Sequence, residues 1–519
     1  MIGSGPIRIG QGIEFDYCSV HAAWALQLEN RQSIMINSNP ETVSTDFDAS
    51  DRLYFEPLDE ESVRDVIDNE TQDDSEPLPA VVQFGGQTAI NLSQALDRAG
   101  IPILGSSAQA IDIASDRGRF EEFLAGIGVP QPPGGAVNSP EDADRIADRI
   151  GYPVLVRPSY VLGGRAMEIV QGPDELQAYV SRAFAASPGK PLLVDKYLEG
   201  KECEVDAICD GETIFVPGIL EHIERAGVHS GDSMAIYPSL SLTDEEVSLV
   251  VDYTVRIGRG LGVKGLMNIQ FVIVEGAVSV LEVNPRASRT APFIAKVTDV
   301  PVIRLATQAM LGRSLRELGY QTGLYPSQNL VSVKAPVFAM AKLVGVDTYL
   351  GPEMKSTGEV MGIDHDYRNA LTKALIGSGM LPPSSGGILL SIADPDKPES
   401  RPMIRRLIKL GYKIYATEGT ARLVQSLGDS EVIIARRLGE GYPNVVDVVR
   451  QGMVDAVVNT TVGGGVDPIR DGFQIRRAAV ELRIPCFTSI DTAGAAIQSL
   501  AGLDHTYSVE RRANYLSRG

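Results

Sequence analysis

Two neighbouring stretches carry residue types suited to metal and anion chemistry: Gly265-Leu266-Met267-Asn268-Ile269-Gln270-Phe271 and Leu281-Glu282-Val283-Asn284-Pro285-Arg286-Ala287-Ser288-Arg289. Both alternate apolar and polar residues, and Glu275-Gly276 between them is a turn signal, which predicts a β-hairpin. A turn centred near Gly276 sets Gln270 across from Glu282, and the period of two brings Asn284 onto the same face. Three oxygen-bearing side chains then converge. Such a set suits Mg²⁺ or Mn²⁺, hard cations that keep few protein ligands and complete their shell with substrate phosphates. Arg286 and Arg289, just beyond, would hold an anionic substrate. The same pattern also fits a hairpin whose outward face is merely polar.

The preceding segment supplies elements able to cradle a nucleotide. Asp116-Arg117-Gly118-Arg119-Phe120 opens a helix and brings cations near a cleft. Pro153 to Arg157 reads as a strand, Pro158 to Arg165 as a loop containing Gly163-Gly164, and Ala166 to Val170 as the return strand. Glycines let such a loop close over phosphates while its amides donate hydrogen bonds. It is not a Walker loop, because it lacks G-K-[ST] and leads into a strand, and a plain hairpin turn is the alternative. Leu192 to Leu198 reads as a strand able to line an adenine pocket, with Glu202 placed to accept ribose hydroxyls; a purely structural strand fits equally. Of five histidines, two lie in Glu221 to Ser233, a glycine-interrupted polar segment, which favours a site role for His229. Zinc ligation lacks both H-E-x-x-H spacing and cysteine support.

The chain has 519 residues, 44% of them hydrophobic, with a net charge of −20 from 67 acidic and 47 basic residues. The length allows three or four domains at roughly 150 residues each. The acidic balance argues against nucleic acid or an anionic membrane as a general partner. Four cysteines without a C-x-x-C pair indicate neither a disulfide framework nor a zinc site. The scattered cysteines suggest a reducing compartment, and with no apolar run near the ~18 residues of a membrane span and no basic-then-apolar signal pattern at the N-terminus, a cytoplasmic setting is expected.

Residues 1 to about 111 alternate strand and helix signals, with strands at 33–37, 80–84 and 101–105, the rhythm of a parallel sheet with crossover helices. The glycines at 3, 5, 10 and 12 miss the G-x-G-x-x-G spacing of a dinucleotide fingerprint. Asp59 to Pro79 is acidic and proline-punctuated, as in a surface helix and loop. Because an α/β domain ordinarily begins with a strand, the glycine turn at Gly3-Ser4-Gly5 implies a fragment or a first strand supplied elsewhere. From about 384 the pattern restarts, with strands at 388–392, 412–416, 432–435, 456–459 and 484–488. Several end in Thr417, Thr420, Asn459, Thr460 and Thr461. Ligands bind beyond the carboxyl ends of parallel strands, so these residues, with Arg437 nearby, suggest a phosphate pocket. Threonine-rich strand ends without a ligand are the alternative.

Gly3-Ser4-Gly5-Pro6, Gly10 to Tyr17, Asn39 to Asp46, Arg157 to Arg165 and Glu282-Val283-Asn284-Pro285-Arg286 together resemble the large chain of carbamoyl-phosphate synthase, in its C-terminal, carbamate-phosphorylating half. The resemblance spans essentially the whole chain. It implies an α/β multidomain protein: a pre-ATP-grasp domain over 1–111, an ATP-grasp fold with its extension over 112–383, and a methylglyoxal-synthase-like regulatory domain over 384–519. It implies ATP with Mg²⁺ or Mn²⁺, metal ligands Gln270, Glu282 and Asn284, and Arg286 and Arg289 on carbamate and product phosphate. Arg117, Arg157, Lys196, Leu198, Glu202, Gly227, Val228, His229 and Ser230 would line the nucleotide, and Lys196 departs from the family's usual residue. The implied partners are a bicarbonate-phosphorylating N-terminal half and a glutaminase small subunit, feeding arginine and pyrimidine biosynthesis, with a pyrimidine nucleotide such as UMP as effector. The last domain resembles methylglyoxal synthase in fold only, since Pro468 stands where that enzyme carries a histidine and the domain's sole histidine is His505. Ala335 replaces the glutamate of ornithine-responsive relatives. Another ATP-grasp carboxylate-amine ligase and a non-catalytic module retaining the fold are the competing readings.

Overall fold

A computed structural model describes the chain apart from residues 9–10, 72–75, 159–166, 187–190, 341–345, 429–430, 462–470, 501–506 and 517–519. Gly10, the Ser159 to Arg165 loop with Gly163 and Gly164, Pro468 and His505 therefore lie outside the described residues. The chain forms two compact units, one of residues 1–165, 172–221 and 237–328, the other of 166–171, 222–236 and 329–519. No described helix is long and apolar enough to cross a membrane.

The first unit begins with the parallel arrangement that the alternating pattern predicts. Ile34–Ile36 pairs in parallel with Arg52–Tyr54, Ile2 bridges Ile36, and the Ile2 amide donates to Val81 O. The expected strands at 80–84 and 101–105 are reduced to a single parallel bridge, Ala80 with Ile103. The bridge is closed by Ala80 N donating to Pro102 O and Leu104 N to Ala80 O, and Pro102, which has no amide hydrogen, ends the ladder on its N-terminal side. Helix Glu60–Glu70 occupies the acidic stretch after Asp59, whose side chain accepts from Ser62 N. Its Val63, Val66 and Ile67 enter the core with Ile36, Val82 and Ile90.

The centre of this unit is the antiparallel sheet formed by Lys201–Asp210, Lys264–Val274 and Ala277–Asn284, with 219–221 on the other edge of the first strand. Cys203, Val205, Ala207, Met267, Ile269, Phe271, Val280 and Val283 alternate onto one face, where Phe120, Leu124, Val250 and Ile257 cover them. Val250 and Ile257 belong to helix Asp244–Gly260, started by a capping box in which Thr243 and Glu246 satisfy each other's backbone amides. A smaller sheet orders Gly134–Val137, Leu192–Lys196 and Val154–Pro158 with antiparallel registers. Gln83 ties the opening domain to the central hairpin. Its Nε2 donates to Lys264 O at 3.0 Å, its Oε1 accepts from Leu266 N at 3.2 Å, and its own carbonyl accepts from Ala287 N at 2.9 Å.

In the second unit Val331–Val337 pairs antiparallel with Gly358–Asp364, and helix Tyr367–Ser378 packs against that ladder. The five-stranded sheet runs 432–434, 413–416, 387–391, 456–459, 486–487, all neighbours parallel. Both its faces are buried, as an all-parallel sheet requires. Ile388, Leu390, Ile414 and Val458 point into one core and Leu389, Tyr415 and Val457 into the other.

Gly85 follows Gln83-Phe84 at a point where an added methyl would collide with the carbonyl oxygens of Ile2 and Gly3. Backbone atoms cannot step aside as a side chain can. Gly85→Ala is therefore expected to lower the unfolding free energy by about 1–3 kcal/mol, read as a lowered melting midpoint of the full chain in calorimetry. An unchanged midpoint would mean that the 1–5 segment is not held against 81–85.

Candidate functional site

The hairpin turns through Glu275 and Gly276, both at positive φ (50° and 82°). Counting back from that turn, Val274 faces Ala277 and Phe271 faces Val280, a register that would set Gln270 against Leu281. A one-residue shift between Gln270 and Phe271 intervenes, so Gln270 faces Glu282 and Asn268 faces Asn284. The extra residue, Leu281, restores the polar side chains to the face opposite the core. Across the next strand Gln270 faces Glu204 and Asn268 faces Asp206. Two polar rows result: Glu282, Gln270, Glu204 and Asn284, Asn268, Asp206.

The outer end is open and the inner end is not. Glu282 is exposed and Gln270 and Asn284 are half-buried, whereas Glu204, Asp206 and Asn268 are buried. Asn284 Nδ2 donates to Glu282 Oε1 at 2.9 Å. One carboxylate and two amides fit a divalent cation that shares its shell with phosphates. No group of three His, Cys, Asp or Glu with metal-site geometry occurs among the described residues. Burial, with Glu204's charge adding to it, raises Asp206 to about 6. Glu204, Asp206 and Asn268 were not singled out from sequence, although acids at every second position of Glu202-Cys203-Glu204-Val205-Asp206 are the signal of a polar face on an otherwise apolar strand.

The segment after Asn284 carries the two arginines. Arg286 lies over the Phe15 ring at 5.9 Å, and burial lowers its guanidinium pKa while Glu282 and Asp206 hold it up. Arg289 makes a two-bond buried ion pair with Glu14, Nε to Oε2 at 3.2 Å and Nη2 to Oε1 at 3.1 Å. Glu14 lies in the first turn of helix Glu14–Leu28, so the opening domain positions this arginine.

Arg117 and Arg157 meet on one carboxylate. Arg117 Nη2 donates to Asp195 Oδ1 at 2.7 Å, and Arg157 Nη2 lies 3.9 Å from Asp195 Oδ2. Burial raises the Asp195 pKa and the two arginines pull it back. The Nε–H groups of both arginines are buried and have no hydrogen-bond partner among the described residues. Orphaned buried donors are rare and fit a site built for an anion. Asp195 was missed from sequence, though a charge inside Leu192-Leu193-Val194 was its signal. Lys196 Nζ instead donates to the carbonyls of Gly151 (3.1 Å) and Tyr152 (2.7 Å). Leu198 is half-buried and Glu202 buried at the start of the central strand.

Gly227, Val228, His229 and Ser230 belong to the second unit. His229 N donates to Gly351 O at 2.8 Å, and its Nδ1 accepts from Gly231 N at 3.0 Å, which leaves the hydrogen of the neutral ring on Nε2. Lys334 Nζ donates to Ser230 O at 3.1 Å, and Asp232 accepts from Lys355 N and Ser356 N, both at 2.8 Å. A held loop rather than a core segment is what its glycines predict.

The strand-end residues of the five-stranded sheet do come together. Thr420 Oγ1 accepts from Ile392 N at 3.1 Å and from Thr417 Oγ1 at 3.2 Å, and Thr460 Oγ1 accepts from Ala393 N at 2.9 Å. Asn459 is committed to its own fold: Nδ2 donates to Ser391 O, and Oδ1 accepts from Arg476 Nη1 at 2.6 Å. Thr461 follows it, half-buried. Arg437 is exposed beyond the edge strand 432–434, its amide donating to Glu440. Lys397 was missed. Its Nζ lies 2.9 Å from where a Cβ on Gly419 would stand, beside the Thr417 to Thr420 turn. A lysine at the first position of helix Lys397–Lys409 opposes the helix dipole, and that misfit was its signal.

The same unit encloses a cavity of about 350 Å³ lined by apolar side chains with Glu224, Asp232, Thr348 and Thr488, and Ala335 is in its wall. Glu224 accepts from Met234 N at 2.7 Å and Thr492 Oγ1 at 2.6 Å, and burial raises it from 4.5 to about 7. Between those two values the folded state binds more protons than the unfolded chain, so stability falls as pH rises through that window and levels off above it. The span corresponds to roughly 3 kcal/mol. Glu224→Gln should flatten this part of the profile, measured as denaturant midpoints from pH 4.5 to 8; identical profiles would mean that Glu224 titrates normally.

Three family models match the chain: the carbamoyl phosphate synthase preATP-grasp domain over residues 1–113, the carbamoyl-phosphate synthase L chain ATP-binding domain over 116–318, and the MGS-like domain over 400–488. The carbamoyl phosphate synthase large chain of Thermomicrobium roseum is 56% identical over 519 residues, all of this chain and 48% of that one. The chain thus spans about half the length of this curated relative. Among solved structures, the Campylobacter jejuni biotin carboxylase–βγ-ATP complex is 17% identical with a TM-score of 0.54, covering 69% of this chain and 88% of that one. The biotin carboxylase domain of Hydrogenobacter thermophilus 2-oxoglutarate carboxylase, with MgADP and bicarbonate, is 21% identical with a TM-score of 0.53, covering 69% and 87%. At these identities they establish the ATP-grasp fold.

Proposed function

We propose that this chain, which belongs to the carbamoyl-phosphate synthase large-chain family, transfers the γ-phosphoryl group of ATP to carbamate, giving carbamoyl phosphate. The observation that carries the reading is the polar face of the central sheet, where Gln270, Glu282 and Asn284 end next to Arg286 and Arg289. Carbamate and its product are anions, and two arginines on one short segment match their charge and planar oxygens. Arg117 and Arg157, with their unpartnered Nε–H donors, suit the polyphosphate, and Leu198 and Glu202 the adenosine. Lys196 contributes long-range charge, its amine being spent on carbonyls.

A divalent cation, Mg²⁺ as named with the MgADP-bound neighbour or Mn²⁺, would be held by Gln270, Glu282 and Asn284 and would neutralise charge on the transferring group. The chain's own residues do the rest. Arg286 and Arg289 hold the attacking carboxylate in line, and their positive charge stabilises the phosphoryl oxygens as charge redistributes. No covalent enzyme intermediate is required. In this reading the other half of a longer protein activates bicarbonate, a glutaminase subunit supplies ammonia, and the product enters arginine and pyrimidine synthesis in the cytoplasm.

Run in reverse, the isolated chain should make ATP from carbamoyl phosphate and MgADP. Glu282→Gln, which keeps the shape and removes the charge, should lower that rate by at least about a hundredfold. A coupled assay for ATP decides it, and undiminished turnover would remove Glu282 from the metal site.

The last domain is proposed to bind a phosphorylated effector, UMP first among candidates, at Thr417, Thr420, Thr460 and Thr461 with Lys397 and Arg437 supplying charge, Asn459 serving to hold the strand end in place. Losing one charge-assisted hydrogen bond costs about 1.5–3 kcal/mol, or roughly ten- to a hundredfold in affinity. Lys397→Ala and Arg437→Ala should each weaken UMP by that much in calorimetric titration and leave turnover without UMP intact. Equal binding by wild type and both variants would move the site elsewhere.

A further inference from the structure

Buried carboxylates need a reason, because removing a charge from water is costly unless it is paired or fully hydrogen-bonded. Asp206 is 2% exposed and has no cationic partner within ion-pair distance among the described residues. Its hydrogen bonds show what it does. Oδ2 accepts from Ser288 Oγ at 2.7 Å and from Thr290 Oγ1 at 2.5 Å, and Oδ1 accepts from Asn268 Nδ2 at 3.3 Å. The two hydroxyls stand 2.8 Å apart and Thr290 N donates to Ser288 Oγ at 3.0 Å, so the turn is closed on itself before it is tied to the strand.

We propose that Asp206 is the positioning residue for the phosphoryl-accepting site: by gathering the Ser288 and Thr290 hydroxyls it sets Arg286 and Arg289 at a fixed height above the sheet row that carries Gln270 and Glu282. This rests on the carbamate reading given above. Beyond its covalent continuation from Asn284, hydrogen bonds tie the segment from Pro285 to Thr290 in more than one direction. Ala287 N is tied to Gln83 O and Arg289 to Glu14, and both of those lead to the opening domain. The Asp206 tie leads to the neighbouring strand of the sheet itself, since Asp206 and Glu204 are alternate residues of one strand and Glu204 faces Gln270. It therefore relates the anion-holding arginines to the metal-holding row without passing through a second domain.

The side-chain type follows from the geometry. Two hydroxyl hydrogens converge on one oxygen while an amide N–H approaches the other, so all the partners on this carboxyl group are donors. Asparagine cannot meet that demand, because its own NH₂ would face either the hydroxyls or Asn268 Nδ2. Asn268 has no slack, as its Nδ2 also lies 3.4 Å from Glu204 Oε2. The nearby charge has a second consequence, since Asp206 is among the groups that hold the Arg286 guanidinium protonated against burial.

The test uses the full chain and the reverse reaction, with Asp206→Ala, the double variant Ser288→Ala/Thr290→Val, which leaves the Asp206 charge in place, and Thr290→Ser, which keeps the hydroxyl. Misplacing reacting groups by about 1 Å costs on the order of a hundredfold. Asp206→Ala and the double variant are therefore expected to lose about that much in kcat/KM for carbamoyl phosphate while the Kd of MgADP, titrated directly, stays within about twofold. Thr290→Ser should match wild type. MgADP affinity falling in step with carbamoyl phosphate would overturn the proposal by marking Asp206 as a core residue alone, and so would unchanged carbamoyl phosphate kinetics in the double variant. Should Asp206→Ala fail to fold in a melting scan, the double variant decides. A wild-type chain that makes no ATP would instead overturn the carbamate reading itself, before any variant is compared.

Discussion

One extra residue in the strand Ala277–Asn284 decides which of its side chains reach the polar face of the central sheet. Side chains alternate with a period of two, so a one-residue slip exchanges the faces completely. Without the shift between Gln270 and Phe271, Glu282 would fall opposite Ile269 and turn towards Phe120, Leu124 and the covering helix. With it, Val280 and Val283 both reach the apolar core although they are three residues apart, and Glu282 and Asn284 both reach the polar face. The packing of the core and the composition of the site are thus one constraint. Leu281, half-buried, is the residue left over.

Carboxylates also orient arginines on the smaller sheet and beside the central one. Asp195 gathers Arg117 and Arg157 from two separate elements, and Glu14 holds Arg289 from a different domain. Each carboxylate fixes the direction of the arginines it pairs with, so these cations are oriented by the fold itself. The arrangement is not built for stability. Buried ion pairs recover their desolvation cost only in part, and two orphaned guanidinium donors and a carboxyl raised to about 6 are further debits. Orphaned donors beside the smaller sheet and a raised carboxyl on the central one are features that gather at functional sites more often than elsewhere.

The second unit follows a different logic. Its parallel sheet buries both faces, so polar residues have nowhere to go except the strand ends, and there Ser391, Thr417, Thr420, Asn459 and Thr460 collect. Part of that collection is structural. Asn459 orients Arg476, and Arg476 closes a buried pair with Asp347. The segment that begins at Asp347 continues to Gly351, Lys355 and Ser356, which hold the His229 loop. Strand-end residues and the His229 loop are therefore joined by continuous bonding inside one unit.

Much of this was legible in the residues themselves. Family membership rests on long motifs such as Glu282-Val283-Asn284-Pro285-Arg286, and the hairpin, the capped helix after Asp116 and the five parallel strands follow from local alternation and turn chemistry, which act between near neighbours in the chain. The pairing of Gln270 with Glu282 was anticipated from a turn centred on Gly276, but the turn is centred half a residue earlier and the pairing survives through the shift at Leu281, which no local pattern announces. Asp195 and Asp206 find partners 78 and 82 positions away, and Gln83 finds partners more than 180 away. A side chain's type is written in the sequence, but its burial and its partners depend on which distant segments the core brings beside it, and that is decided only when the chain packs.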